Sequence, residues 1–209
     1  MTARSPAVLN DSQGQLRDAV LLEDLCRSDI DAAEAEWQPF SEAEISRAER
    51  SGQPRSNLPE HRHWDWRRKY EAVGHLLAYR FLGIECDSQV QGLMLVATAG
   101  RVCRIESQRG LPLIYIHFLA TAPWNSRRLM GKPRFSGVGS VLLAAAVRLS
   151  TDEEFGGRVG LHSLPQADGW YRRCRMTDLG PDPSEMHELR YFEMTPENAN
   201  DFLREGVGS

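Results

Sequence analysis

An apolar run at residues 113–121 (LIYIHFLAT) and a helical run at 141–149 flank a glycine-bearing loop, Arg134-Phe135-Ser136-Gly137-Val138-Gly139-Ser140. Strand, glycine loop and helix in that order constrain the fold more than any other stretch. A helix start leaves its first backbone N–H groups without partners, and the positive end of the helix dipole points the same way. Glycines let a ligand approach the backbone closely, so the loop reads as an anion site suited to phosphate. A purely structural strand-to-helix turn is the other reading of the same residues.

The chain has 209 residues, enough for one sizeable core. Its net charge of -4 argues against general nucleic-acid binding, which needs a basic face. No apolar run approaches the ~20 residues of a membrane span, and no signal-peptide pattern opens the chain. The cysteines Cys26, Cys86, Cys103 and Cys174 are scattered and form no CxxC pair. Reduced cytoplasmic thiols are the simplest reading, with no disulfide framework and no metal.

Residues 1–14 are polar and read as a flexible N-terminus, leaving 15–209 as a single domain. Residues 18–25 (DAVLLEDL) read as a first strand. Ser28-Asp29 marks a helix start, and Ser41 followed by Glu44 looks like a capping box that opens a second helix. Residues 51–59 form a Gly/Pro/Ser-rich loop. A helix follows within 61–81, with Tyr70, Val73, Leu77 and Phe81 on one face. The period then changes: 84–86 and 90–97 about Asp87-Ser88 read as a β-hairpin, and 102–105 as a continuation of the sheet. In the helix after the glycine loop, Val138, Leu142, Ala145 and Leu149 make a core-facing stripe. Beyond it come a short strand (158–162), a short helix (167–176), a final strand (189–194) and a helical turn capped by Thr195-Pro196. The fold class is α+β.

The loop does not match a Walker sequence, because Pro133 follows Gly131-Lys132, nor a dinucleotide fingerprint, because Leu142 stands where a third glycine belongs. Its surroundings match something else. Leu119-x-Thr121-x-Pro123 followed by Arg134-x-x-Gly137-x-Gly139 resembles the acetyl-CoA signature of the GCN5-related N-acetyltransferase (GNAT) superfamily. Ala167-x-x-Trp170-Tyr171-x-x-Cys174-Arg175-Met176 resembles that family's second helix motif. The chain departs from the pattern in the extra residues 125–132, in Thr121, in Arg175 where the family usually has Gly, and in lacking an Asn near the second motif. The resemblance implies a central, mostly antiparallel sheet with a splayed parallel strand pair, flanked by helices. It implies acetyl-CoA or a related acyl-CoA as co-substrate. The backbone of Leu119, Ala120 and Thr121 is expected to hold the pantetheine arm, and Arg134, Phe135, Ser136, Gly137, Val138, Gly139 and Ser140 the pyrophosphate. Arg127, Arg128 and Lys132 are either further phosphate ligands or a solvated basic loop.

By the same resemblance Tyr171 protonates the departing thiolate. His117, two residues before Leu119, reads either as the base that deprotonates the amine or as a core histidine. Glu85 competes with it for that role, and its alternative is a strand-edge charge. Tyr115 reads as a group that holds or relays water. Trp64 and Trp66 read either as an aromatic wall for the acceptor or as packing for a helix start. No other histidine is given a role. The expected function is transfer of an acetyl group to a small-molecule or protein amine by direct attack in a ternary complex. The alternative is a non-catalytic acyl-CoA-binding or regulatory protein. The apolar strand at 191–194 suggests an exposed edge through which a homodimer forms.

Overall fold

Alternating side chains build the sheet, and the computed structural model describes it over residues 2–185 and 187–205. In chain order its elements are β1 (Ala3–Asp11), β2 (Leu16–Glu23), α1 (Arg27–Arg50), α2 (Trp66–Val73), β3 (Tyr79–Cys86), β4 (Gln89–Ala97), β5 (Ile114–Thr121) and α3 (Arg127–Met130). They continue with β6 (Phe135–Ser136), α4 (Val138–Asp152), β7 (Val159–Ser163), α5 (Asp168–Arg173), β8 (Thr177–Pro181), β9 (Arg190–Met194) and α6 (Pro196–Arg204). The nine strands form one sheet in the order β6-β1-β2-β3-β4-β5-β7-β9-β8. Among the described residues only β5 and β7 pair in parallel; this is the mixed α+β architecture expected from the sequence.

Period-two alternation sends neighbouring residues to opposite faces. Leu82, Ile84, Met94 and Val96 pack with α4 on one face, while Phe81, Leu93 and Leu95 pack with α1 and Trp66 on the other. α4 is buried almost all round, with Val141 through Val147 all inside.

Several expectations from the sequence give way. Residues 3–11 are not frayed: β1 pairs along β2 and also with β6, and Leu9 is in the core. α1 is one helix running through Pro39, with Ser41 in its interior. Pro39 and Ala35, whose carbonyl loses its partner, are both exposed, so water takes the place of the missing hydrogen bond. The helix within 61–81 is only α2, capped by Asp65, which accepts the N–H of Arg68. Leu77 is fully exposed, and Phe81 belongs to β3. Residues 102–105 add no strand beyond a single bridge, Val102 to Pro112. Instead the buried carboxylate of Glu193 accepts the N–H groups of Arg104 and Ile105, the Gln108 amide and the Tyr191 hydroxyl, pinning this segment. The strand at 191–194 is no edge, since β8 covers it; that removes the basis on which it suggested a homodimer.

Candidate active site

The parallel pair is short. Ile114, Tyr115 and Ile116 match Val159, Gly160 and Leu161, and then the two strands part. The register between β4 and β5 slips at the same level: Leu95 pairs with Phe118 but Val96 with Ile116, so His117 is the extra residue of a β-bulge. A bulge bends and twists its strand. It also shifts the alternation, so that Ile116 and Leu119 face α4 while Phe118 and Ala120 face α1. Beyond Ile116 the β5 edge turned toward β7 is therefore unpaired.

A cleft of about 670 Å³ opens in this splay, within the ~300–1,000 Å³ usual for small-molecule sites. Leu119, Ala120 and Thr121 form one wall, Leu161, His162, Trp170 and Tyr171 another, and Gly139 lies at its helical end. Gly137, the residue before α4, has φ +87°, a left-handed backbone that suits glycine. No side chain caps the helix start. The N–H groups of Val138, Gly139 and Ser140 lack intrahelical partners by position, whereas that of Val141 bonds to Gly137. A Cβ on Gly139 would stand 3.1 Å from the Trp170 indole, so glycine there lets α5 close over the helix start.

Cations at the mouth come from the residues 125–132 that interrupt the motif. After a 3₁₀ turn at Pro123–Asn125 they form α3, which carries Arg127 and Arg128 to the rim, and neither has an ion-pair partner among the described residues. Arg134 does not reach the cleft. Its guanidinium donates to Gln89 (2.5 Å) and faces Asp87. The Phe135 N–H is held by Asn125 Oδ1 (2.8 Å), and Phe135 and Ser136 pair with β1. Of the residues 134–140, the backbone at Val138, Gly139 and Ser140 is the part left open for an anion.

Tyr171 is buried against Trp170 (ring centroids 4.7 Å), and burial raises its phenol well above the usual tyrosine range. His117 packs edge-on against Tyr115 (4.7 Å), and its Nε2 is buried with no hydrogen-bond partner. Burial, then the charge of Arg101, lowers its pKa to about 4, so its imidazole is neutral near pH 7. Tyr115 is joined to His162, which sequence reasoning set aside. The Tyr115 hydroxyl lies 2.5 Å from His162 Nδ1, and His162 Nε2 lies 2.9 Å from Asp182 Oδ2. Asp182 also accepts Ser184 Oγ (2.6 Å), the Ser184 N–H (2.9 Å) and Arg104 Nη1 (2.5 Å). These partners hold its carboxyl far below the ordinary range.

Two residues singled out from sequence stand elsewhere. Glu85, on β3 beside its turn into β4, pairs with Arg4 (2.8 Å) and does not line the cleft. Trp66 is 2% exposed, its backbone N–H donating to Glu34 (2.5 Å), and it borders the neighbouring depression rather than the cleft. Trp64 is at the cleft, packed edge-on against Phe118 (4.8 Å). A second depression of about 370 Å³, carrying Glu34, Glu42 and Asp65, shares Trp64, Ala120 and Thr121 with the cleft.

No protein-family model matches the chain, and no curated protein matches it in sequence. Solved structures do match. Mycobacterium smegmatis RimJ, in complex with CoA-disulfide, aligns over 97% of this chain and 94% of its own, with 13% identity and a TM-score of 0.52. A protein of the yellow fever mosquito Aedes aegypti, provisionally identified as arylalkylamine N-acetyltransferase 7, aligns over 93% and 95%, with 11% identity and a TM-score of 0.51. At such identities the likeness speaks for the fold: a mostly antiparallel sheet with one splayed parallel pair. The chain has the fold of the GCN5-related N-acetyltransferases.

Proposed function

We propose that the protein is an acyl-CoA-dependent N-acyltransferase, with acetyl-CoA the donor of choice. The observation that carries this reading is the unpaired β5 edge beyond Ile116, which begins at the His117 bulge and runs beside Tyr171 to the uncapped start of α4. An extended pantetheine arm has amide groups that pair with such an edge as a partial strand. Its pyrophosphate suits the free N–H groups at Val138, Gly139 and Ser140. Arg127 and Arg128 supply charge for further phosphate oxygens. RimJ, with CoA-disulfide bound, supports this choice of ligand.

The acceptor amine reaches the thioester from the second depression, past Trp64. His117, neutral near pH 7, stands in the cleft wall beside this path. Tyr171 keeps its proton until a thiolate forms beside it, because burial disfavours the phenolate. It then donates to the leaving sulfur. No acyl-enzyme is needed, since donor and acceptor meet in one cleft.

Calorimetric titration with acetyl-CoA, together with transfer assays over a panel of amines, tests the reading. We expect micromolar binding and turnover, and Tyr171→Phe should lower kcat by ~10²–10⁴-fold with little change in coenzyme affinity. Absence of binding refutes the donor site. Binding without transfer to any amine favours the non-catalytic alternative.

A further inference from the structure

We propose that Tyr115, His162 and Asp182 form a proton relay that deprotonates the acceptor amine and carries its proton away from the thioester. This rests on the acyl-transfer reading of the cleft. The relay gathers residues from three parts of the sheet: Tyr115 from β5, His162 from β7 and Asp182 from the turn after β8. The two contacts are separated in sequence by 47 and 20 residues.

Hydrogen-bond logic fixes the direction. Asp182 is fully engaged as an acceptor by Ser184 and Arg104, so it stays ionised and takes the Nε2–H of His162. That tautomer leaves Nδ1 with a lone pair, which the Tyr115 O–H donates to. The Tyr115 oxygen then presents its own lone pairs to the cleft, beside the bulge where the amine attacks.

As the ammonium N–H bond breaks, its proton bonds to the Tyr115 oxygen, and the Tyr115 O–H proton passes to His162 Nδ1. The products are a neutral amine, an intact phenol and an imidazolium facing Asp182. Charge moves from the ammonium to the imidazolium, and no redox step occurs. Tyr115 never carries a full negative charge, consistent with the burial that pushes its phenol up to about 12. His117 cannot store the proton near neutrality, as its pKa is about 4. Other charges face the relay too. Glu185 Oε1 lies 3.7 Å from Nδ1, Arg101 stands over the Tyr115 ring, and Tyr191 packs 5.0 Å from the His162 ring.

The test uses the full chain and compares Tyr115→Phe, His162→Gln and Asp182→Asn. Each should lower kcat/KM for the amine at pH 7 by at least ~10²-fold, with the acetyl-CoA Kd changed less than about threefold. The loss should shrink as pH approaches the acceptor's own pKa, because a free amine needs no base. Tyr171→Phe, which removes the acid instead, should gain nothing from that rise. Long-range ¹H–¹⁵N spectra should show His162 protonated at Nε2 in the resting enzyme. The relay is overturned by full activity in the variants, by a loss equal at all pH values, or by an Nδ1–H tautomer. A wild-type chain that transfers to no amine overturns the acyltransferase reading, and the relay with it. A wild-type chain that is active alongside fully active variants overturns the relay alone.

Discussion

Two half-buried histidines set an acid limit on the fold. Burial lowers His61 to about 4, helped by the charge of His63, and His117 to about 4, helped by Arg101. In the unfolded chain both titrate near 6.5. Between pH 6.5 and 4 the unfolded state therefore binds protons that the folded state refuses, and stability falls as pH falls. Glu34, raised by burial, works in the opposite sense above its ordinary value, so substitution is more telling than the raw profile. Thermal melts at pH 7 and pH 5 should show a drop in Tm for the native sequence and a smaller drop for the double variant His61→Gln/His117→Gln. An equal drop would remove the histidines as its cause. At this scale the sequence was partly legible. Tyr171 and His117 could be picked out from their neighbours, and both line the cleft. His162 could not, because its partners reach it only through the β5–β7 pairing and the turn after β8. Glu85 looks suitable in sequence, but strand register takes it away from the cleft, whereas Trp66, buried, borders the second depression beside Trp64.

Among the elements, the segment 122–134 links the β4 strand to the glycine loop through one buried amide cluster. Gln91, fully buried in β4, accepts from Trp124 Nε1 (2.7 Å) and Asn125 Nδ2 (3.0 Å) through its Oε1. Asn125 Oδ1 in turn holds the Phe135 N–H, two residues before Gly137. A Cβ on Gly92, next to Gln91, would come within 2.4 Å of Val138, so β4 and the start of α4 are in tight contact as well. Asn125→Ala leaves the Phe135 N–H buried without its acceptor, at a cost of ~1–3 kcal/mol. At ~2–4 °C per kcal/mol for a chain of this size, Tm should fall by several degrees. Acetyl-CoA affinity should fall with it, and an unchanged calorimetric Kd would separate the cluster from the anion site. The sequence marked 125–132 only as an interruption of a motif; a polar cluster assembled by tertiary packing has no local period to reveal it. Elements with a strong period, such as the hairpin strands at 84–86 and 90–97 and the α4 stripe, were legible, although β3 begins earlier, at Tyr79. β8 and β1 were not, because a short strand and a strand with one half-wet face alternate weakly.

Taken whole, the sheet ties its first strand to the glycine loop. β1 pairs with β2 along its length and reaches past it to β6, whose two residues stand directly before Gly137. Leu9, 1% exposed, joins the core under α4, while Val8 beside it is 48% exposed. The N-terminal residues therefore act as a brace for the loop at 135–140. Leu9→Ala should cost ~2–5 kcal/mol, the usual range for emptying a buried leucine site, whereas Val8→Ser on the wet face should stay within ~0.5 kcal/mol. Removing residues 1–11 deletes both the leucine and the β6 partner. The shortened chain should melt lower than Leu9→Ala and bind acetyl-CoA more weakly than Leu9→Ala does, because only the deletion frees Phe135 and Ser136. Melting curves and calorimetry on the three variants separate the two contributions. If the deletion matched Leu9→Ala in both Tm and Kd, packing alone would explain β1 and the brace would be refuted.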